Sequence, residues 1–301
     1  MEKHFFDKYL VVGTPISHSL SPRLHNAAYR ELGLSRELRA YDPFIEGGEA
    51  GFERLVGEFR QGAYQGLCVT IPYKLQAAIS CDVLSHTAQR TGAVNYIRRE
   101  SDGSLSGDNT DVRGFAAAVQ LELGLDLRDC CQVAVCGSGG AARAVVDALT
   151  QAGVECIALV TRDPKRVADE WGIPNSSMSE IVKPHAASLS PAEAQVQALC
   201  YEALERSCSD FDLLVNATSL GMNDDLMPVP ADWLGSQVAA VYDVVYRKMG
   251  TTPLVATAGA AGILAADGRS MLIEQAIVGM QFWGIEESSA RLRSIIYACL
   301  S

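Results

Sequence analysis

The feature that most constrains this chain is a glycine-rich turn between an apolar stretch and a run of helix-forming residues. Residues 132–136 are Gln-Val-Ala-Val-Cys, and residues 137–144 are Gly-Ser-Gly-Gly-Ala-Ala-Arg-Ala. The β-branched residues favour a strand, the alanines favour a helix, and Gly153 is placed to end that helix. The sequence therefore predicts a strand, a tight turn and a helix, in that order.

A turn of this kind suits the pyrophosphate of a dinucleotide. Gly137 permits the tight turn, Gly139 lets backbone N–H groups approach the anion, and Ala142 is small enough for the helix to pack on the strand. The helix N-terminus supplies unpaired N–H groups and the positive end of the helix dipole. Glycine turns are common, but the flanking strand and helix favour a dinucleotide site over a plain strand–helix turn. The predicted cofactor contacts here are Gly137, Ser138, Gly139, Gly140 and Ala141.

The residues after the next apolar stretch, 155–160, bear on which dinucleotide is bound. An NAD site usually carries an acidic residue here for the ribose 2′-OH, whereas guanidinium groups pair with the 2′-phosphate of NADP. Arg162 and Arg166 favour NADP, and Asp163 between them leaves NAD possible. Without the glycine turn, a solvated basic turn opening a helix would be the better explanation. We predict that Thr161, Arg162 and Arg166 contact the cofactor.

Length and composition limit the class of protein. The 301 residues fit two domains of ordinary size, and 48% of them are hydrophobic. The net charge of −11 argues against a nucleic-acid partner, so an anionic ligand must be met by local donors. No apolar run of membrane-spanning length or leader segment is present, which predicts a cytoplasmic protein without a membrane partner. The nine cysteines lack metal-ligand spacing, and no metal is expected.

Apolar stretches alternate with helical patterns along the whole chain. This alternation predicts an α/β fold, with an N-terminal α/β substrate domain and a Rossmann-type, doubly wound dinucleotide-binding domain. One stretch, residues 192–206, has the texture of a mostly exposed helix. Strands are expected at residues 9–13, 38–41, 66–70, 92–97, 105–111, 211–216, 238–245 and 262–265.

Polar residues that follow the predicted strands are candidates for binding a small ligand. Ser17, Ser19 and Ser21 lie on one loop and could grip such a ligand, although turn and capping chemistry is the ordinary use of these residues. Ser21, with Pro22 after it, is expected to be the N-cap of a helix. Lys74 follows a buried strand beside a proline, where a surface lysine is the commonest explanation.

Together these landmarks resemble the shikimate dehydrogenase family, shikimate and quinate enzymes alike. The resemblance extends from about Val11 to Gly284, and it rests on the order and spacing of several motifs rather than on any one of them. The motifs are Ser-His-Ser-Leu-Ser-Pro at 17–22, Val-Thr-Ile-Pro-Tyr-Lys at 69–74, Gly-Ala-Val-Asn at 92–95, Gly-Asp-Asn-Thr-Asp at 107–111, Gly-Ser-Gly-Gly-Ala at 137–141, Asn-Ala-Thr-Ser-Leu-Gly-Met at 216–222, Asp-Gly at 267–268 and Met-Leu-Ile-Glu-Gln-Ala at 271–276.

The resemblance implies a role for each matching residue. Lys74 and Asp111 match the family's catalytic pair, and Ser19 and Ser21 match the ligands of the substrate carboxylate. The remaining substrate contacts that it implies are Thr70, Asn95, Tyr246 and Gln275, and the further cofactor contacts are Thr218, Val244 and Gly268.

The implied reaction is reversible hydride transfer between a ring hydroxyl of shikimate, or a related ring acid, and NADP. It belongs to aromatic amino acid biosynthesis through chorismate. Lys74 would give or take the hydroxyl proton. The sequence leaves open whether burial, which favours neutral lysine, or Asp111, which favours the charged form, has the larger effect.

Other functions stay open at this stage. The chain is alternatively a quinate or variant-substrate dehydrogenase that uses NAD, or a protein that senses quinate or shikimate without turnover. A dehydrogenase of the methylenetetrahydrofolate type fits less well, because the serine loop and the 107–111 motif do not match that family. The protein is expected to be a monomer or a homodimer.

Two positions depart from the family pattern. Cys68 stands where the family usually has Asn, and Tyr96 stands where it usually has Thr. Both flank expected substrate contacts, so we expect a reshaped pocket that disfavours shikimate and accepts quinate or another analogue. The alternative is that both side chains turn into the core.

Because Gln275 matches a substrate residue but follows the nucleotide motifs, one domain is expected to be inserted into the other. Residues 1–112, completed by C-terminal helices in 268–301, are expected to form the substrate domain, and residues 113–267 the NADP-binding domain.

Overall fold

The computed structural model describes residues 7–17, 19–174, 195–207 and 210–300. The chain divides into two compact units, each built on one six-stranded sheet. Unit 1 comprises Met1–Gly114 and Leu272–Ser301, and unit 2 comprises Phe115–Met271. Unit 2 is therefore an insertion in unit 1. The substrate and cofactor functions expected of the two units stay predictions.

The sheet of unit 1 is mixed. Its strands are β1 (Asp7–Val12), β2 (Arg36–Tyr41), β3 (Gly66–Val69), β4 (Val83–Leu84), β5 (Tyr96–Arg99) and β6 (Leu105–Asp108), in the spatial order β2-β1-β3-β5-β6-β4. β1 and β3 are parallel neighbours, whereas β5 runs antiparallel to both β3 and β6. The ends of β1, β3 and β6 and the start of β5 consequently lie at one edge of the sheet, and the loops at this edge carry most of the predicted substrate residues.

Helices cover both faces of this sheet. They are α1 (Ser21–Glu31), α2 (Glu49–Arg60), α3 (Lys74–Ser80), α4 (His86–Thr91), the start of α5 (Asp111–Leu123), most of α11 (Arg269–Phe282) and α12 (Ser289–Leu300). Because successive strand residues point to opposite faces, Val11 joins one core cluster while Leu10 and Val12 join another. The first cluster also holds Cys68, Tyr96 and Trp283.

The sheet of unit 2 is entirely parallel. Its strands are β7 (Gln132–Cys136), β8 (Cys156–Val160), β9 (Gln195–Leu199), β10 (Leu213–Asn216), β11 (Ala240–Asp243) and β12 (Leu264–Ala266), in the order β12-β11-β10-β7-β8-β9. Counted from β7, this is the 3-2-1-4-5-6 order of the Rossmann fold, and the order reverses between β7 and β10. The predicted α/β architecture with a Rossmann-type domain is confirmed.

Within the described residues, the helices of unit 2 after the first follow its strands. They are the rest of α5, α6 (Gly140–Ala152), α7 (Pro164–Trp171), α8 (Tyr201–Arg206), α9 (Ala231–Gln237) and α10 (Pro253–Ala260). The strand, turn and helix predicted around residues 132–152 are β7 and α6, and the helix ends at Gly153 with a left-handed backbone, as predicted. Among the described residues, no helix combines the length and the apolar character needed to cross a bilayer.

Two local predictions are wrong. Residues 195–199, expected to be helical, form β9, because pairing with β8 satisfies the backbone and outweighs the modest helix preference of Gln, Ala and Leu; residues 192–194 lie outside the described residues. Ser21 is not an N-cap but the first residue of α1, whose N-cap, Leu20, makes no side-chain hydrogen bond. Instead the Ser21 N–H donates to Ser19 Oγ at 3.3 Å.

Candidate active site

Lys74 and Asp111 form a buried ion pair at the loop-bearing edge of the unit 1 sheet. Lys74 opens α3 after β3, and Asp111 opens α5 after β6, so the shared edge brings the two residues together. Lys74 Nζ donates to Asp111 Oδ2, and the side chains are only 13% and 6% exposed. Such a pair is costly to break because each charge would lose its compensation. Lys74 is the more exposed member of the pair.

Asn95 holds the carboxylate of this pair from the other side, and Gln275 contacts Asn95 in turn. Asn95 Nδ2 donates to Asp111 Oδ1 at 2.9 Å, to Thr110 Oγ1 at 3.0 Å and to Gln275 Oε1 at 3.3 Å. The Thr110 N–H donates to Asn95 Oδ1 at 2.8 Å, and Gln275 Nε2 donates to the Leu272 carbonyl at 2.8 Å. The structure thus joins four predicted residues in one network, and Thr110 is a member that sequence reasoning did not single out.

Three hydroxyl groups follow the neighbouring strands at the same edge. Ser19 and Ser21 come after β1, and Thr70 comes directly after β3, whose end is tied to β1 by the Thr70 N–H to Val12 carbonyl bond of 2.8 Å. None of the three hydroxyls donates a hydrogen bond to a residue that the structure describes. Neutral hydroxyl donors at this edge can therefore bind an anionic ligand, without a charged side chain of the protein.

Cys68 and Tyr96 turn into the core. They are paired across β3 and β5, and their exposed fractions are 5% and 0%. The Tyr96 hydroxyl bonds to His25 Nε2 at 2.9 Å, and the ring packs beside Trp283 with centroids 4.7 Å apart. The alternative that both side chains turn inward is what the structure shows. Direct contact with a ring hydroxyl, the reason for expecting a substrate other than shikimate, is therefore not supported.

The glycine turn of unit 2 fits a pyrophosphate. Gly137 has φ +116°, and a Cβ there would lie 2.8 Å from the Ala217 carbonyl, so no other residue fits where β7 and β10 diverge. The first turn of α6 has no acidic residue, and its N-cap, Gly139, makes no side-chain hydrogen bond. Ser138, Gly140 and Ala141 lie in this turn or open the helix. No carboxylate in the first turn of α6 therefore competes with a bound anion for the N–H groups at the start of this helix.

The charged residues in the turn after β8 differ in their partners. Asp163 accepts the Arg166 N–H at 3.0 Å and caps α7, while Arg166 Nη1 pairs with Glu170 at 2.6 Å. The exposed Arg162 makes no hydrogen bond or ion pair with any described residue. Thr161 is buried, and its N–H donates to the Leu199 carbonyl at 2.9 Å. Because Asp163 serves the helix, this turn suits a 2′-phosphate better than a free 2′-OH.

Comparison with known proteins decides the family. A family model described as the shikimate dehydrogenase substrate binding domain matches residues 11–97. A protein named shikimate dehydrogenase (NADP(+)) from Caulobacter vibrioides is 37% identical over 271 residues, which are 89% of this chain and 86% of that protein. This chain belongs to the shikimate dehydrogenase family.

Other shikimate dehydrogenases match over nearly the whole chain. One named shikimate dehydrogenase (NADP(+)), from Rubrobacter xylanophilus, is 35% identical and covers 94% of this chain and 93% of its own length. The crystal structure of shikimate 5-dehydrogenase from Thermus thermophilus in complex with NADP(H) and shikimate has a TM-score of 0.75 and 30% identity, covering 98% of this chain and 100% of that one. The predicted family is confirmed.

The remaining shikimate dehydrogenase positions lie in unit 2. Thr218 Oγ1 donates to Asn216 Oδ1 at 2.6 Å, and the Val244 N–H donates to the Asn216 carbonyl at 2.9 Å. A Cβ on Gly268 would collide with the Val244 carbonyl, so these strand-end loops are in close contact. Tyr246 follows β11 in unit 2. Its predicted place near the substrate, like the individual roles of the other residues, stays a prediction.

One buried acid of unit 2 escaped the sequence analysis. Asp243 ends β11, and its Oδ1 accepts from Asn216 Nδ2 at 2.9 Å and from the Val245 N–H at 3.1 Å, whereas Oδ2 has no partner among the described residues. Burial raises the pKa of this carboxyl to about 6. Nothing in an apolar strand pattern distinguishes such an acid from an ordinary turn residue. Within the described ranges, no cluster of three or more His, Cys, Asp or Glu side chains is arranged to hold a metal ion.

Proposed function

We propose that this protein is an NADP-dependent shikimate dehydrogenase that interconverts shikimate and 3-dehydroshikimate. The observation that carries the proposal is the buried Lys74–Asp111 pair at a sheet edge lined with hydroxyl donors. Its carboxylate accepts a hydrogen bond from Asn95, which is itself bonded to Gln275. The relatives named for NADP(+) and the Thermus thermophilus complex with NADP(H) and shikimate support the same reaction.

The residues of unit 1 would manage the proton. Oxidation of a ring hydroxyl to a ketone releases one hydride from carbon and one proton from oxygen. Bound NADP supplies the hydride acceptor, the nicotinamide C4. Neutral Lys74 would take the proton from the hydroxyl during oxidation, and charged Lys74 would return it during reduction. Asp111 holds the lysine in place and can accept a hydrogen bond from the same hydroxyl.

The hydroxyl donors would bind the carboxylate end of the substrate. Ser19 and Ser21 are proposed to donate to the carboxylate, while Thr70, Asn95 and Gln275 contact ring hydroxyls. Each hydrogen bond to a charged group contributes about 1.5–3 kcal/mol. Neutral donors suit this chain, whose net charge is −11, because they bind an anion without a buried cation that needs its own counter-charge.

For the cofactor, the residues present fit NADP. The N-terminus of α6 and the turn from Gly137 would hold the pyrophosphate, and Arg162 would pair with the 2′-phosphate. Arg166 is expected to contribute less, because Glu170 already pairs with it.

A nicotinamide absorbance assay tests the function. Shikimate and quinate are each offered with NADP+ and with NAD+, and the highest kcat/KM is expected for shikimate with NADP+. Preference for quinate with NAD+ would favour the alternative dehydrogenase. Binding of a ring acid without absorbance change in any combination would favour the sensing protein. A cytoplasmic location and a monomeric or homodimeric state stay predictions, of which size-exclusion chromatography tests the second.

A further inference from the structure

A series of hydrogen bonds between neutral groups connects Tyr96 to the loop that carries Ser19 and Ser21. His25 Nδ1 lies 2.8 Å from the Ser21 carbonyl, and His25 Nε2 lies 2.9 Å from the Tyr96 hydroxyl. A carbonyl oxygen only accepts, so Nδ1 carries the imidazole proton and Nε2 must accept from Tyr96. Burial lowers the pKa of His25 to about 4, which keeps the ring neutral and its donor pattern fixed near neutral pH.

Cys68 lies beside Tyr96 in the core. It faces Tyr96 in the β3–β5 register and belongs to the same buried cluster. Burial raises the pKa of the Cys68 thiol to about 12, so the sulfur keeps its proton and is not a nucleophile.

This series of hydrogen bonds ends at Ser21, whose backbone N–H and carbonyl are both held. His25 bonds its carbonyl, and Ser19 Oγ accepts its N–H. The Tyr96 side chain, which begins this series, is tightly packed, because its ring occupies the space that any side chain on Gly279 would need.

We propose that Tyr96 and His25 are positioning residues that set the affinity for the substrate carboxylate by holding Ser19 and Ser21, without touching the substrate. The inference rests on the proposed function, in which those serines bind the carboxylate. Lys74 and Asp111 lie outside this series of hydrogen bonds, so the chemical step is independent of it.

The main test is Tyr96→Phe, which removes one hydroxyl and leaves Nε2 of His25 without its donor. KM for shikimate is expected to rise five- to tenfold, with kcat and KM for NADP changed less than twofold. For the methyl ester of shikimate, which lacks the carboxylate charge, KM is expected to change less than twofold. Tyr29→Phe is the matched control, because Tyr29 is buried in the same core and its hydroxyl has no partner among the described residues.

Cys68→Ala is a second control, because it changes a buried neighbour of Tyr96 and keeps the Tyr96–His25 bond. It is expected to change KM for shikimate less than twofold. An unchanged KM for shikimate in Tyr96→Phe, or an equal rise in Tyr96→Phe and Cys68→Ala, would overturn the inference. So would a fall in kcat alone, or equal KM changes for shikimate and its methyl ester. If the wild-type protein does not turn over shikimate, the proposed function fails. The ratio of the variant to the wild-type dissociation constant for shikimate, measured by equilibrium binding, then still tests the positioning role of Tyr96 and His25.

Discussion

Lys74 is the single residue on which the proposed chemistry depends most. Replacing it by Ala removes the proton carrier, so kcat for shikimate oxidation is expected to fall by about two to four orders of magnitude. Substrate affinity should change much less, because the hydroxyl donors around the substrate remain. Steady-state kinetics measures both, with circular dichroism as the control that Asp111, left without its counter-charge, has not unfolded the site. Retention of most of the turnover would remove Lys74 from the mechanism.

Arg162 should determine the choice between NADP and NAD. Arg162→Glu places a carboxylate where the 2′-phosphate is expected, and the lost charge-assisted contact should raise KM for NADP roughly 10- to 100-fold while KM for NAD falls. Lys165→Glu is the matched control, since it makes the same charge change on an exposed side chain of α7. Equal effects of the two substitutions would mean that only overall charge matters.

Residues with a chemical signature could be predicted from the sequence, whereas residues that act through burial could not. Lys74, Asp111, Asn95 and Gln275 were recognisable from their motifs, and the structure joins them. His25 escaped because its function depends on a tyrosine 71 positions away, and local spacing carries no information on such a contact. A long-range hydrogen bond becomes visible only when the fold has placed both partners.

At the scale of secondary-structure elements, helix α11 and strand β5 are in close contact where Gly279 meets Tyr96. A methyl group on Gly279 would collide with the Tyr96 ring, so Gly279→Ala is expected to destabilise the protein by about 1–3 kcal/mol, the usual cost of overpacking a core. Adding Tyr96→Thr should recover part of that loss, because the smaller side chain vacates the space. Urea unfolding of the two single variants and the double variant measures the coupling. Additive effects would show that the two sites do not interact.

The elements themselves were predictable where local and long-range preferences agree. The β7 strand, its glycine turn and α6 follow from apolar residues, glycine and alanine in an order that favours only one arrangement. β9 was not predictable, because Gln-Val-Gln-Ala-Leu has no strong strand preference and becomes a strand by pairing with β8. Tertiary pairing, absent from any local window, decides such segments.

At the scale of the whole molecule, one buried group in each unit responds to acid, and the two groups respond in opposite directions. His25 in unit 1 has a folded pKa of about 4, below its ordinary 6.5, so the unfolded chain binds the proton more readily and stability is lost as pH falls from 6.5 towards 4. Asp243 in unit 2 has a folded pKa of about 6, above its ordinary 3.8, so stability is gained as pH falls from 6 towards 3.8. Each shift corresponds to about 3 kcal/mol at its limit.

His25 is therefore expected to lower the stability of unit 1 from pH 7 to pH 5. Trp283 reports on this unit, and the other two tryptophans, Trp171 and Trp233, lie in unit 2, so the Trp171→Phe/Trp233→Phe variant isolates its fluorescence. The urea midpoint of Trp283 should fall on acidification, and His25→Gln in the same background should reduce that fall. If the midpoint falls equally with and without His25, another group is responsible.

The insertion of unit 2 into unit 1 makes unit 1 separable by design. A Cβ on Gly114 would lie 2.8 Å from the backbone nitrogen of Gln275, and Leu272 precedes Gln275 by about 4.5 Å of helical rise. Excising residues 115–271 thus leaves two ends that a few glycines would bridge. The shortened chain would keep Ser19, Ser21, Thr70, Lys74, Asn95, Asp111 and Gln275. It would be a ring-acid receptor without a redox partner, in which recognition could be measured apart from turnover.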